Sequence, residues 1–469
     1  MGCETVKHYC GVIGIWGQEY AAEQIYHGLY SLQHRGDESA GIISTDGKKF
    51  YRHLGMGTLS HVFNSPDALK GLKGHAAIGH NRYSTTGSSS QFNIQPLSAM
   101  LKDGPIAVGH NGNLVNTKKL RRALQEEGAI FQSTTDSEII VHLMARSKEE
   151  KVRDKFLDAI RRVDGAFSLV ILSDHGLYAA RDQYGWRPLC IGKKGSSYAV
   201  ASESCAFDLL GYEYVRDVNP GEMIVIDDNG LLSSTFKESK KKASCIFEII
   251  YFSRPDSRFS GEFIDKYRRK MGKNLAEEHP ADADITIAVP DSSNTAALGY
   301  SQRSQNRFEM GLIRNHYIGR TFIKPTQLMR EMGVKLKFNP VGGVLNDRKV
   351  VVVEDSIVRG TTLRKLTELI RKAGAKEVHV RVSSPPIKHP CYYGMDFPSR
   401  EELIAHNRTV DEVREQIGVD SLGYLSVERL LDSVPQGEEH GYCTACFTGV
   451  YPNHIDEEEE NGTKERYNQ

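Results

Sequence analysis

The chain has 469 residues and a mass of 52.4 kDa, enough for two or three domains. Its 60 Lys and Arg balance its 60 Asp and Glu, which excludes a surface built to coat nucleic acid or an anionic membrane by bulk electrostatics. A hydrophobic fraction of 39% and a mean hydropathy of −0.43 fit a soluble globular protein, and no stretch reaches the ~18 apolar residues of a membrane span. The opening MGCETVKHYC lacks the apolar region of a signal peptide. A cytoplasmic location is therefore expected, with the eight cysteines as thiols or ligands rather than disulfides.

In chain order, CGVIGIWG interleaves short apolar residues with glycine, as in a strand packed close to other backbone. Ala22, Ile25, Leu29 and Leu32 then recur at helical spacing, and QHRGDESAGI turns the chain into a second strand. Helices are expected after Asn116 and Thr135, each with an oxygen-bearing side chain near its start. AFSLVILSD, GLYAARD, SYAVASES and GEMIVIDD are short strand-like runs of a meandering sheet. The charged SSTFKESKKKASC looks like a solvated linker and places a boundary near residue 235. Beyond it, DITIAVPD, KVVVVED and EVHVRVSS alternate with amphipathic helices such as TTLRKLTELIRKAGA, which predicts a parallel sheet covered on both faces. The expected class is α/β in two domains, 10–235 and 236–455. An acidic tail, 456–469, is too charged to fold.

The most specific stretch is KVVVVEDSIVRGTT. Val350 to Val353 make a buried strand, with Glu354 and Asp355 at its carboxyl end, where ligands bind in open parallel sheets. The turn from Ser356 to Thr362 offers backbone N–H groups, hydroxyls and a helix dipole to a phosphate. Two carboxylates beside such a cradle make sense if they hold sugar hydroxyls and a divalent cation. This segment resembles the phosphoribosyl-pyrophosphate (PRPP) motif of type I phosphoribosyltransferases, and most resembles that of the glutamine PRPP amidotransferases. The family motif often carries two aspartates, whereas this chain has Glu354 first. The resemblance implies that Glu354 and Asp355 hold the ribose hydroxyls and one Mg2+. It further implies that Ser356, Arg359, Gly360, Thr361 and Thr362 line the 5′-phosphate. AVPDSSNTAALGY resembles a second family segment, in which Ser292 approaches the metal. GRTFIKPTQLMREMGVKLKFNP resembles the loop that closes over the pyrophosphate, with Arg320, Lys335 and Lys337 as anion contacts.

Cys10 alone would be a buried strand cysteine. It is followed by HRGDESAGI, GHNRYSTTG, GHNGNL and TTDSE, all before residue 140. Together these resemble the glutamine-hydrolysing domain of amidotransferases whose nucleophile is an amino-terminal cysteine, an αββα sandwich. Amide hydrolysis needs a soft nucleophile and a base near neutral pKa, and a free α-amino group (reference pKa about 7.7–8.0) serves when it belongs to the nucleophile itself. Residues 1–9, MGCETVKHY, are therefore expected to be a cleaved propeptide that takes Cys3 with it. By the resemblance, Asn111 and the Gly112 N–H stabilise the oxyanion, Arg82 pairs with the glutamine α-carboxylate and Asp136 takes its α-ammonium. Arg35 orders the same pocket.

Cys443 and Cys446 form a C-x-x-C pair, and Cys245 and Cys391 stand in apolar and aromatic surroundings. Four thiolates could hold zinc or iron, or the pair could be redox-active. The resemblance favours the branch of the family that carries a [4Fe–4S] cluster on cysteines in these contexts, and it leaves Cys190 and Cys205 to core packing. The implied reaction is the first committed step of de novo purine synthesis. Ammonia from glutamine displaces pyrophosphate from PRPP to give 5-phosphoribosylamine, in a homo-oligomer inhibited by purine nucleotides. An ATP-pyrophosphatase loop of SGG type and a sugar-isomerase half are both missing, which disfavours two amidotransferase rivals. Retention of Cys10, Asn111 and Gly112 disfavours a PRPP-sensing regulator.

Overall fold

A computed structural model of the chain describes residues 10–83, 90–239, 241–315, 337–395, 397, 399–435, 441–453 and 455. Two antiparallel sheets form the first half. The first contains β1 (Gly11–Trp16), β2 (Ser39–Thr45), β3 (Phe50–Met56) and β4 (Ala76–Arg82). The second contains β5 (Leu97–Leu101), β6 (Gly104–Leu114), β7 (Gly165–Ser173) and β8 (Leu177–Arg181). β9 (Cys190–Lys194), β10 (Ser197–Ala201) and β11 (Glu213–Asp217) return to the first sheet, in the order β11-β9-β10-β1-β4-β2-β3. β12 (Glu222–Asp227) and β13 (Gly230–Thr235) complete the second, in the order β13-β12-β8-β7-β6-β5.

The sequence dictates the layers through the two-residue repeat of a strand. Val12, Ile43, Ile78, Val170, Leu172 and Val200 point between the sheets into one shared cluster. Their neighbours Ile13, Ile15, Ile42 and Ala77 face outward against the helix Ala21–Ser31. Ile106, Val108, Leu169 and Ile171 face the helices Ser137–Arg146 and Val152–Arg162. Helix, sheet, sheet, helix is the αββα sandwich. Glycine sets its thickness: a Cβ on Gly14 would meet Leu177 and Val170 of the facing sheet at 2.8 Å.

The helices after Asn116 and Thr135 form as Thr117–Glu126 and Ser137–Arg146, but neither start is capped by its own oxygen-bearing side chain. The Asn116 amide instead donates to the Arg162 carbonyl at 3.1 Å and accepts the Asp164 N–H at 3.1 Å, tying two loops together. Tertiary bonds outbid the local cap.

In the second half, five strands pair in parallel: Arg307–Phe308, Ile285–Ala288, Lys349–Glu354, Glu377–Val382 and Ser421–Tyr424, in that spatial order. Val351 and Val353 look into one cluster, where the helices Ile264–Glu278 and Asn294–Ser304 pack, and Val350 and Val352 look into another beneath Thr361–Lys372. Burial on both faces explains the unbroken valine run. Ser244–Cys245, just past the linker, pairs in parallel with Tyr442–Cys443, so the chain entering this half lies against the chain leaving it.

Candidate active sites

Cys10 stands at the foot of β1, buried, with its thiol donating to the Tyr83 carbonyl at 3.6 Å. Burial pushes the thiol up to about 11, against smaller pulls from Tyr83 and Arg82. With residues 1–9 attached it is therefore a protonated thiol that needs a base. Arg82, Glu38 and Asp136 all lie within electrostatic reach of it. Arg82 ends β4 and pairs with Glu38 at 2.8 Å, both buried. Asp136 opens the helix Ser137–Arg146, where its carboxylate accepts the Leu114 N–H at 2.9 Å and faces His110 at 3.5 Å. One cation and two carboxylates thus surround the sulfur.

β6 carries the prospective oxyanion donors. The Asn111 side chain is fully buried, and neither its nitrogen nor its oxygen has a hydrogen-bond partner among the described residues. A buried unpaired amide costs ~1–3 kcal/mol, so its persistence here fits a group kept for a ligand. The next residue, Gly112, has φ +152°, and a Cβ there would stand 2.0 Å from the Ala166 carbonyl oxygen. Only glycine permits that approach, and it turns the backbone beside Asn111. One residue further, the Asn113 amide donates to the Tyr392 carbonyl at 2.8 Å. The donor strand is therefore pinned to the second half of the chain.

Arg35 does not reach into the pocket with its guanidinium. Its Nε donates to the Cys10 carbonyl at 3.2 Å, and its remaining nitrogens engage Glu203 and Glu248. It orders the nucleophile through the main chain. Glu203, Glu248 and Glu38, partners of these arginines, were not singled out by sequence reasoning. A signal existed for Glu248: one carboxylate inside the apolar run CIFEIIYF must be paired if that run is buried.

In the second half, Glu354 and Asp355 end the strand Lys349–Glu354. Ser292 donates to Asp355 at 2.6 Å from the neighbouring loop, and Ser356 donates to its other oxygen at 2.6 Å. Burial raises the Asp355 carboxyl despite these bonds. Burial, then the charge of Asp355, raises Glu354 well above the usual carboxylate range. Two acids crowded in this way call for a cation. Gly360, at φ +80°, starts the helix Thr361–Lys372, whose first N–H groups have no partner within the helix. Arg359 reaches Glu402 at 3.2 Å. Lys337 lies within electrostatic reach of Glu354. Arg320 and Lys335 lie outside the described residues, as do residues 1–9.

Cys245, Cys391, Cys443 and Cys446 line a single, mostly apolar cavity with Trp186, Phe247, Tyr393 and Met395. The Cys391 sulfur accepts backbone N–H groups of Tyr393 and Met395 at 3.4 Å each. Burial pushes the Cys245 thiol up to about 11 and that of Cys443 to about 12. Among the described residues, no group of three or more His, Cys, Asp or Glu is arranged to hold one metal ion. Cys190 and Cys205 are buried in the first half, away from this cavity, in the cluster under the helix Ala21–Ser31. No described helix is long and apolar enough to cross a membrane.

Comparison with known proteins adds to this geometry. A family model described as a glutamine amidotransferase domain matches residues 80–208. The chain is 47% identical over 450 residues to the amidophosphoribosyltransferase of Bacillus subtilis (strain 168), across 95% of this chain and 94% of that one. It is 47% identical over 460 residues to the amidophosphoribosyltransferase of Methanothermobacter thermautotrophicus, across 96% of each. Among solved structures, it superposes on B. subtilis glutamine PRPP amidotransferase complexed with ADP and GMP with a TM-score of 0.90 at 46% identity, covering 95% of this chain and 98% of that one.

Proposed function

The chain belongs to the amidophosphoribosyltransferase family, and from that premise we propose how its residues divide the work. It catalyses the first committed step of purine biosynthesis, in which glutamine nitrogen replaces the pyrophosphate of PRPP. In the first pocket, release of residues 1–9 frees the Cys10 α-amino group. That amine takes the thiol proton as the sulfur attacks the amide carbon, and passes it to the departing ammonia. Water then cleaves the thioester to give glutamate. Asn111 Nδ2 and the Gly112 N–H receive the oxyanion, and losing one such donor costs ~10²–10³ in rate. Arg82 and Asp136 hold the α-carboxylate and α-ammonium of glutamine, while Arg35 fixes the Cys10 main chain.

In the second pocket, Ser356, Arg359, Gly360, Thr361 and Thr362 hold the 5′-phosphate, and Glu354 and Asp355 hold the ribose hydroxyls. Arg320, Lys335 and Lys337 contact the pyrophosphate. The bond from the anomeric carbon to pyrophosphate breaks, and ammonia adds there to give 5-phosphoribosylamine. One Mg2+ suits the crowded acids Glu354 and Asp355, with Ser292 beside them, and supplies charge neutralisation to the leaving group. Cys245, Cys391, Cys443 and Cys446, which line one apolar cavity, would hold a [4Fe–4S] cluster there. A brown protein absorbing broadly near ~400 nm supports the cluster, and a colourless zinc protein refutes it. Purine nucleotides inhibit the enzyme, as the ADP and GMP bound to the B. subtilis relative suggest. It works as a cytoplasmic homo-oligomer.

The observation that carries the division of labour is the fully buried, unpaired Asn111 amide, in the same half as the enclosed Cys10. Cys10→Ala should lose glutamine-driven synthesis and keep ammonia-driven synthesis. Equal loss of both would sink the two-pocket scheme. Amino-terminal analysis of active enzyme should begin at Cys10, and Met1 there would refute the propeptide.

A further inference from the structure

The two halves meet through a group of buried charges, of which only Arg35 touches the first pocket. The side chains of Arg35, Arg187 and Glu248 are wholly inaccessible to solvent, and Glu203 is nearly so. Glu248 accepts Arg35 Nη2 at 2.8 and 3.0 Å, Arg35 Nη1 at 3.0 Å and Arg187 Nη1 at 3.1 Å. Through Arg35 it is one side chain away from the Cys10 carbonyl. Glu248 also opens a single π-helical turn, Glu248–Phe252, closed by the Ser253 N–H on the Glu248 carbonyl at 2.9 Å. The far side of that turn is held by Arg268, whose guanidinium donates to the carbonyls of Ile249 and Ser253 at 2.8 Å each. Arg268 is buried, and its charge reaches Asp355.

A run of directional bonds thus joins the nucleophile's backbone to Arg268, from which only the electrostatic reach to Asp355 remains to the acid pair. Apolar side chains would hold two domains together at least as well as a buried ion group, so the charges here serve geometry. A π turn, one residue out of phase with an α-helix, is found mostly at functional sites. We propose that Glu248 is a positioning residue that couples the Cys10 main chain to the state of the PRPP pocket, acting through Arg35 on one side and the π turn and Arg268 on the other. Ligand binding beside Asp355 re-aims Arg268, shifts the turn it grips, and so resets the Arg35 bond to Cys10. The assignment rests on the pockets being those of the preceding section.

The test uses the full-length enzyme with Glu248→Gln and Arg268→Lys, measuring ammonia-driven synthesis and glutamine hydrolysis with and without Mg·PRPP. Ammonia-driven synthesis should stay within about twofold, as for a distant independent site. Mg·PRPP should stimulate glutamine hydrolysis by the parent, and that stimulation should fall about tenfold in each variant, a normal size for coupling between sites. Unchanged stimulation in either soluble variant overturns the proposal, and so does a parallel loss of ammonia-driven synthesis. If Glu248→Gln does not fold by thermal melting, Arg268→Lys decides alone. Cys10→Ala in the same assays separates the two failures, since retained use of glutamine would overturn the pocket assignment itself and leave Glu248 out of account.

Discussion

The two pockets answer the same need, stabilising negative charge, by opposite means. In the proposed glutamine pocket the donors are fixed in advance: Asn111 and Gly112 sit on β6 where it pairs with β7, one unpaired and the other backed against a carbonyl. At Glu354 and Asp355 the fixed charges have the wrong sign for a polyanion, and burial already drives them toward protonation. The difference follows from how long the charge lasts. An oxyanion exists for an instant, so its partners must be in place beforehand. A sugar diphosphate is charged throughout and arrives with its own counter-ion, so on the proposed reading the protein supplies ligands for that ion and a loop of N–H groups.

The comparison breaks most visibly if the acid pair is removed. Glu354→Gln with Asp355→Asn should lower both glutamine- and ammonia-driven synthesis on the order of 10³-fold, from two lost charged contacts of about 1.5–3 kcal/mol each. The same variant should melt no lower than the parent, and higher once the pH rises past the unfolded carboxyls' ~4. The sign follows from the raised carboxyls: the unfolded carboxyl ionises first, so stability falls as pH rises through the folded value, and the amides remove that fall. A lower melting temperature at pH 8 would show that the pair is structural.

Asn111→Ala is the mirror experiment. It should cut glutamine-driven kcat by ~10²–10³, leave the KM for glutamine near its parent value, and leave ammonia-driven synthesis untouched. A rise in KM with kcat unchanged would mean that Asn111 binds substrate rather than the transition state. A smaller effect separates the halves by pH. His80, buried in β4 with Nε2 on the His110 carbonyl at 3.0 Å, is held down to about 3 by burial. The unfolded imidazole takes its proton near pH 6.5, so the first half should lose up to about 1.4 kcal/mol of stability per pH unit below that, down to about pH 3. Calorimetric scans from pH 7 to 5, with His80→Gln as control, should show the slope in the parent and a flatter profile in the variant.

Much of this was legible before the structure. The valine run, the glycine-spaced first strand and the phosphate loop carry their own periodicity and turn chemistry. Cys10, Asn111, Arg82 and Asp136 could be named because each belongs to a short local motif. What pairs with what was not legible. Glu38 follows HRGD closely, yet its partner Arg82 lies in another strand. Glu203 and Glu248 are 45 residues apart in sequence yet share Arg35. Such bonds depend on how sheets stack, and nothing in a local pattern encodes that. The helix start at Asn116 failed for the same reason: a distant carbonyl offered a better bond than the local cap.

Beside its buried ion group, the seam between the halves also uses peptide oxygens as acceptors. Asn113 grips the carbonyl of Tyr392, and Arg187 that of Tyr393 at 2.7 Å. An amide oxygen is identical in all twenty residue types, so these acceptor positions are free to drift in sequence while the donors are not. A hybrid joining the first half of one relative to the second half of another should therefore dock correctly wherever those donors and the path of the main chain are retained, however far the accepting side chains have diverged.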